Sequence, residues 1–597
     1  MAKHEFILLF ILPFMLKLSM SLLCSCNEEE RKVHIVYMGS IQGYSTNFLT
    51  KCYRRSFKGF AAKLTDQEAN KMSGMKRVVS IFPSKTFQLQ TTRSWDFMGF
   101  KESIKRNPTV ESDIIIGVID TGIWPELECF SDEGFGPAPK KWKGSCKGGQ
   151  TFTCNNKISE AQTYIGNDSA RDVDGHGSHT ASKAAGNKVK DVGFYGLAQG
   201  MVRGGWGFPL QEPLDVSEDV IAIGAFHAMK KGILTVHSAG NNGLGGAFTV
   251  VSIAPWLLSV AASRTGRKFI NKVILGNGNI LTGSLINTFS LNGTKFPLVY
   301  GKEVSNNDCE EYDSRNCIEG CLDENAVKGK IMLCDSFQGI FVSKDSVALG
   351  TISIDDGSGT DVSYLNSTEK PELRAEFEST RFLKPDLTAP GVDILATYSP
   401  EGLVTGDSKD DRHVKYNILF GTSMSCPHVA AAAAYIKTFH PDWSPSAIKS
   451  ALMTTAWPMN QTYHPDVEFA SGSGHINPAK AAHPGLVYEV YKEDYIKLMC
   501  SMGYDADKLK AASGITNVGN ANSNYMADFS AHSRLNVSVA PTVLSFNSMR
   551  ENKSFQMTVT GGALKIFTVV STSMSWSDGS HIVRSPIVIR TYHGLGI

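Results

Sequence analysis

The chain has 597 residues, 59 basic against 58 acidic side chains for a formal net charge of +1 at pH 7, and a hydrophobic fraction of 42%. A chain of this length holds about four domains. The charge balance excludes a generally basic nucleic-acid binder and a charge-driven disordered chain, while the apolar fraction suffices for a sizeable core.

At the N-terminus, Lys3 and His4 precede an apolar stretch over 6–23 that ends in the small residues Cys24, Ser25 and Cys26. That order of a cationic start, an apolar middle and small residues predicts a secretory signal peptide over 1–26. Lys17 interrupts the run and leaves it short for a full span, so no stable membrane anchor is expected. Of the 12 cysteines, the two in the leader leave an even number, which suits an oxidising compartment. Cys146 can pair with Cys154 across a glycine-rich loop, and pairs are open among Cys309, Cys317, Cys321 and Cys334. Glycosylation sequons at Asn167, Asn292, Asn366, Asn460, Asn536 and Asn552 agree with secretion.

Residues 33–37 and 57–64 are β-rich runs, 67–72 reads as a short helix and 78–82 as a third strand, together a small α+β unit. It closes on Leu89-Gln90-Thr91-Thr92-Arg93, a polar stretch suited to cleavage. Residues 114–119 form an unbroken apolar run, the pattern of a strand buried on both faces of a parallel sheet. Residues 220–229 then read as a helix, and 234–238 and 257–262 as strands; this alternation predicts an α/β fold. Between about 294 and 379 long periodic helices thin out while Cys and Gly accumulate, the mark of a small inserted domain. Residues 424–439 form an alanine-rich apolar helix, expected to be buried all round. From about residue 515 alternation returns, as Leu535/Val537/Val539 and Phe555/Met557/Val559, which predicts a C-terminal β-sandwich.

Three glycine-flanked positions could carry chemistry. Asp120 ends the apolar run in Ile119-Asp120-Thr121-Gly122, His176 lies in Asp174-Gly175-His176-Gly177-Ser178-His179, and Ser423 opens the long helix in Gly421-Thr422-Ser423-Met424-Ser425. An acid at the C-terminal edge of a parallel strand stands where α/β sheets take ligands. A histidine beside it is held in one tautomer by the carboxylate. A serine at a helix N-terminus gains free N–H groups and the positive end of the dipole, which favour oxyanion charge. Singly, each signal is weak: a histidine among glycines reads as a turn or core residue and a serine at a helix start as an N-cap. Asp-Thr-Gly also marks aspartic proteases, but those need a second such motif and the chain has none. No carboxylate or cysteine at zinc-site spacing supports His176 and His179 as metal ligands. Taken together, in the chain order Asp, His, Ser, the three are far more specific, for that is the order of the subtilisin triad.

The sequence resembles the plant subtilisin-like (cucumisin-like) serine proteases from about residue 33 to 589. The likeness is carried by Asp120-Thr121-Gly122-Ile123-Trp124-Pro125, Asp174-Gly175-His176-Gly177-Ser178-His179-Thr180-Ala181 and Gly421-Thr422-Ser423-Met424-Ser425-Cys426-Pro427-His428. It implies Ser423 as nucleophile, His176 as general base and then acid, and Asp120 as the group that orients the imidazole. Asn241, in Ser238-Ala239-Gly240-Asn241, is implied as the oxyanion-hole donor. The implied protein is a secreted endopeptidase of the apoplast or cell wall, cleaving protein or peptide substrates through an acyl-enzyme, with no metal or organic cofactor and no nucleic-acid partner. The resemblance also labels the segments: a signal peptide over 1–26, an inhibitory propeptide over 27–90, a catalytic domain over 91–294 and 372–500, a protease-associated insert over 295–371 and a fibronectin-III-like domain over 501–597. The expected architecture is an α/β subtilisin-like parallel sheet with helices on both faces, flanked by the small α+β propeptide, the insert and the β-sandwich.

The chain departs from this family pattern in blocks. After Arg203-Gly204-Gly205 the family runs on for some tens of residues that supply two central strands, a helix and a Ser-x-Gly-Gly edge on which substrate lies. Here Trp206-Gly207-Phe208-Pro209 leads almost directly to Asp219-Val220-Ile221-Ala222. Substrate docking of this kind is strand addition, so the triad can assemble and still lack its rail. Smaller gaps fall near Gly43, near Asp361, before Leu383-Lys384-Pro385-Asp386 and before Ile515-Thr516-Asn517, shortening the propeptide, the insert and the C-terminal domain. Lys183 stands where the family has a small or hydroxyl residue, and Cys129 replaces a usual serine. The alternative these losses imply is a catalytically impaired pseudoprotease, or an incomplete gene model, acting as a binding protein.

Overall fold

The structure is a computed structural model. It describes residues 32–37, 51–53, 59–73, 75, 78, 80–83 and 93–590, the last apart from 101–102, 112, 165–168, 196, 203–214, 242–248, 267–268, 285–293, 307, 319, 337–347, 354–382, 405–411, 460–467, 506–507, 510–527, 530–534, 547, 549–550 and 562–568. The expected leader, the cleavage stretch at 89–92, the sequons at Asn167, Asn292, Asn366 and Asn460, and the gap positions at Gly43, Asp361 and Ile515 lie outside the described residues.

The chain divides into two compact units, 1–89 and 90–597. In the first, β1 (Lys32–Tyr37), β2 (Lys51–Tyr53), β3 (Gly59–Leu64) and β4 (Ser80–Pro83) form a sheet of order β2-β3-β1-β4, with α1 (Asp66–Ser73) between β3 and β4. All its pairings are antiparallel. Thr65 and Glu68 start α1 with a reciprocal cap, Thr65 Oγ1 accepting from Glu68 N at 3.2 Å and Glu68 Oε2 from Thr65 N at 2.9 Å. The three residues of β2 are too few to leave a periodic signal, and the sequence did not predict that strand.

The second unit runs through α2 (His176–Ala185), α3 (Val220–Lys230), β5 (Val236–Ser238), β6 (Leu258–Ser263), β7 (Leu298–Tyr300), β8 (Ile331–Cys334), β9 (Gly350–Ser353), β10 (Leu387–Pro390), α4 (Thr422–Phe439) and α5 (Pro445–Thr454). Strands β10, β6 and β5 form a parallel sheet in that order, with Val260 of β6 opposite Leu387 and Ser238. Strand β10 is buried throughout and β6 is buried but for Ala262, as expected of strands covered on both faces. Helix α4 packs on this sheet and against α2. Its Val429, Ala432 and Ile436 meet Leu258, Val260 and Leu387 in the main core. Only part of α4 is fully covered; Ala430, Ala431 and Tyr435 are half-buried, so it is not buried all round. Helix α3 starts on Asp219, whose Oδ1 accepts from Ile221 N at 2.8 Å, and buries Ala222 and Phe226 against Trp256.

A second expectation fails. Residues 114–119 lie in no strand, and Ile119 is 71% exposed, Ile115 42% and Val118 40%. Ile116 alone of this run rests on the main core. An apolar run becomes a doubly covered strand only if neighbours stand on either side, and among the described residues none pairs with it. Among the described residues, strand β5 likewise forms the edge of its sheet, bonded to β6 alone.

Just before β10 a charged group is sealed in. Asp386 accepts from Lys384 Nζ at 2.6 Å and Lys449 Nζ at 2.9 Å, with both ends of the Lys384–Asp386 pair almost wholly buried. Lys384 Nζ also donates to Leu257 O at 3.0 Å, and burial pushes its ammonium down to about 7.

Within 295–371, β7, β8 and β9 form a small parallel sheet with a separate apolar cluster around Val304, Val327 and Met332. Disulfides Cys309–Cys321 and Cys317–Cys334 cross-link it, and Cys146–Cys154 closes the glycine-rich loop. Cys129, Cys426 and Cys500 are free thiols. At the C-terminal end, β11 (Leu535–Ala540) pairs with β12 (Gln556–Gly561), and β13 (Val569–Ser577) with β14 (Ile582–Arg590), in two antiparallel sheets. Arg584 of β14 donates to Ser473 O at 3.2 Å, tying this region to the segment that flanks Asp386.

Candidate active site

The first residue of α2 is His176, and the helix begins there because Gly175 turns the chain at φ 103. A side chain at 175 would stand 2.3 Å from the ring of Tyr398, and one at Gly177 would stand 2.1 Å from Gly122 O. The first turn of α2 therefore lies directly on the Asp-Thr-Gly turn, and only glycine permits that approach. His176 Nδ1 meets Asp120 Oδ1 at 2.7 Å, and the same oxygen accepts from Thr121 N at 2.7 Å. Asp120 Oδ2 accepts from Thr180 Oγ1 at 2.8 Å. The Asp120 side chain is 2% exposed against 26% for His176, so the carboxylate is sealed and the imidazole opens outward.

Asp172 supplies the frame. This wholly buried carboxylate accepts from Gly175 N at 2.8 Å and Thr121 Oγ1 at 2.9 Å on one oxygen, and from Ser178 N at 2.6 Å on the other. It satisfies donors that the start of α2 leaves open and binds them to the residue after Asp120. Thr121 Oγ1 in turn accepts from Gly177 N at 2.8 Å. Sequence reasoning missed Asp172 and Thr180. The available signals were an acid just ahead of a helix start and a hydroxyl four residues past His176, on the same helix face.

Burial alone would lower the affinity of His176 for a proton. The Asp120 hydrogen bond and the charges of Asp120, Asp174 and Asp172 outweigh it, and its pKa lies above the ordinary histidine value. His179 is the opposite case: wholly buried, with Nε2 on Ile394 O at 3.1 Å, it is pushed down to about 3, chiefly by burial. Among the described residues no group of three or more His, Cys, Asp or Glu side chains is placed to hold a metal ion.

Ser423 is the buried second residue of α4. Gly421, with φ 138, bends the chain into the helix and anchors it through its N–H on Gly391 O at 2.8 Å, while Ser425 Oγ donates to Ala389 O at 3.0 Å. The serine is thus carried from the end of β10. Asn241 sits at the same helix start: its Oδ1 accepts from Thr422 N and Thr422 Oγ1, each at 2.9 Å. With that oxygen engaged, the amide can offer Nδ2 as a donor. Pro427 lies inside the helix and has no N–H for the Ser423 carbonyl one turn back. Burial and, after it, the charge of Asp120 raise the buried Cys426 thiol of α4. The structure joins Asp120 to His176 directly, sets Asn241 against the residue before Ser423, and packs the helix of Ser423 along the helix of His176.

This arrangement has relatives. The subtilase family pattern matches residues 111–213 and 205–475, the peptidase inhibitor I9 pattern matches 27–90 and the fibronectin type-III domain pattern matches 499–589. The chain belongs to the subtilase family of serine-type endopeptidases. It is 44% identical to the subtilisin-like protease SBT4.3 of Arabidopsis thaliana, over 93% of this chain and 95% of that one. With SBT4.4 of the same plant it shares 42% over 97% and 98%, and with SBT4.6 it shares 43% over 94% and 96%. The alignment with SBT4.4 runs over 732 positions, more than the 597 residues of this chain, so many of them carry no residue of it. The two subtilase matches overlap at 205–213, in the stretch where the sequence leaves the family pattern.

Proposed function

We propose that the protein is a secreted endopeptidase that cleaves peptide bonds with Ser423, His176 and Asp120 through an acyl-enzyme. The observation that carries this reading is the 2.7 Å contact from Asp120 Oδ1 to His176 Nδ1, which leaves Nε2 of the imidazole to serve a hydroxyl. His176 Nε2 takes the proton as Ser423 Oγ attacks the scissile carbonyl, and Asn241 Nδ2 donates to the resulting oxyanion. Collapse of the tetrahedral species passes that proton to the leaving amine. Water then repeats the sequence on the ester and restores Ser423. Asp120 holds the imidazole in the tautomer with Nδ1 protonated and stabilises its cation.

The domain assignments are part of the same reading: leader 1–26, propeptide 27–90, catalytic residues 91–294 and 372–500, insert 295–371 and C-terminal domain 501–597. The match of 27–90 to the peptidase inhibitor I9 family supports an intramolecular inhibitor, removed before the enzyme acts on protein or peptide substrates. Secretion to the apoplast or cell wall rests on the leader, the sequons and the plant relatives; no helix among the described residues is long and apolar enough to cross a membrane. The test is a fluorophosphonate probe, which should label Ser423 in the purified chain and leave a Ser423→Ala variant unlabelled.

A second reading has its own support. The break in the family match at 205–213, the exposed run 114–119 and the edge position of β5 all favour a chain that keeps its triad and lacks its substrate rail. Such a pseudoprotease would bind partners through its insert or sandwich. A well-folded protein that takes the probe at Ser423 and yet cleaves no protein or peptide substrate decides for it.

A further inference from the structure

We propose that Thr180 is a positioning residue of the hydrolytic site, its hydroxyl locking the second oxygen of Asp120 while His176 engages the first; this rests on the proposed triad. The two side chains stand one turn apart on α2, four residues being the spacing that stacks side chains on one helix face. From that face His176 Nδ1 reaches Asp120 Oδ1 at 2.7 Å and Thr180 Oγ1 reaches Oδ2 at 2.8 Å. One helix thus grips both oxygens of one carboxylate, and any tilt of the acid about its own bond breaks one contact or the other.

The ordinary use of a helical threonine hydroxyl is a bond to its own backbone, and Gly177 O stands 3.1 Å away for that purpose. The single hydroxyl proton goes to the nearer acceptor, which also carries the charge. Thr180 is wholly buried, and a β-branched side chain has few rotamers, so the donor is fixed before any substrate arrives. The Asp120 side chain is itself 2% exposed, which leaves water little room to replace the hydroxyl.

Removing this donor leaves more negative charge on Asp120 to hold protonated His176, so the imidazole gives up its proton at higher pH. The other titratable groups around the pair are Asp172 and Asp174 ahead of α2, His179 and Lys183 further along it, and Cys426 on α4; the substitution touches none of them.

The experiment measures the rate of fluorophosphonate labelling against pH for the full chain, Thr180→Val and Thr180→Ser, with the melting temperature of each. T180V should label about tenfold more slowly at its plateau, with the acid limb moved up by about 0.5 pH unit. T180S, which keeps the hydroxyl, should stay within about twofold of the parent with the limb unmoved. If T180V does not fold, Thr180→Ala removes the same hydroxyl without added bulk and gives the same two readings. The proposal is overturned if the variant lacking the hydroxyl matches the parent in rate and limb, or if a stably folded T180S is as slow as T180V. A parent that takes no label overturns the hydrolytic reading, and this proposal with it.

Discussion

The acid–imidazole–hydroxyl region and the adjoining sheet edge are built to different standards. Around Asp120 and His176, the anchoring contacts come from α2, the turn that precedes it, the Asp-Thr-Gly turn, β10 and α4, and the carboxylates of Asp120 and Asp172 are sealed. A few residues upstream, Ile115, Val118 and Ile119 are open, and among the described residues β5 has a strand on one side only. On the proposed function, the chemical machinery and the surface on which a peptide would lie depend on separate parts of the chain. A block can be missing from the second while the first keeps its hydrogen bonds.

The sharpest way to break this contrast is at its strongest point. Asp120→Asn keeps the shape but favours the wrong imidazole tautomer, and should slow fluorophosphonate labelling about 10⁴-fold with little change in melting temperature. A modest loss would mean that Asp120 does not orient the base. Next in size, Asn241→Ala should lower turnover of a p-nitrophenyl ester, which needs no extended peptide rail, by about 10²-fold or more. An unchanged ester rate would remove Asn241 from the reaction.

Acid should act on the sealed region before the open one. His475 is pushed down to about 4 and His179 to about 3, both chiefly by burial, while an unfolded histidine takes a proton near 6.5. The unfolded chain therefore binds more protons below pH 6.5, and stability falls as pH drops from there toward 4, by about 1.4 kcal/mol per pH unit for each such histidine. His176, with its raised value, works in the opposite sense and loses its contribution as pH rises. Thermal melts at pH 7 and pH 5 should show the fall; equal melting temperatures would refute it. The smallest effect belongs to the edge. Ile119→Ser, at a side chain 71% exposed, should change stability by no more than about 0.5 kcal/mol in urea unfolding. A loss of several kcal/mol would show that the edge is covered after all.

The motifs around Asp120, His176 and Ser423 were legible because each imposes a narrow local demand: glycines where helices and turns touch, a polar group at an element's end. The parallel sheet was legible in 234–238 and 257–262, where Leu234, Val236, Leu258 and Val260 recur at alternate positions among small and polar residues. Residues 114–119 are more apolar still and have a different fate. An apolar run states what seeks cover, whereas the cover itself is supplied by residues far away in the chain. Asp172 and Thr180 stayed hidden because a cap and a buried hydroxyl look like any surface acid or helical threonine until the Asp120 turn is folded against them.

Lys384, Asp386 and Lys449 carry a final consequence. One carboxylate serves two ammonium groups inside the fold, so replacing Asp386 by a neutral residue strands both cations, and losing either lysine changes what its partner must balance. Viable descendants of this sequence should therefore alter these three positions in concert or leave them untouched. Their pattern of inheritance can be followed wherever two such chains are aligned.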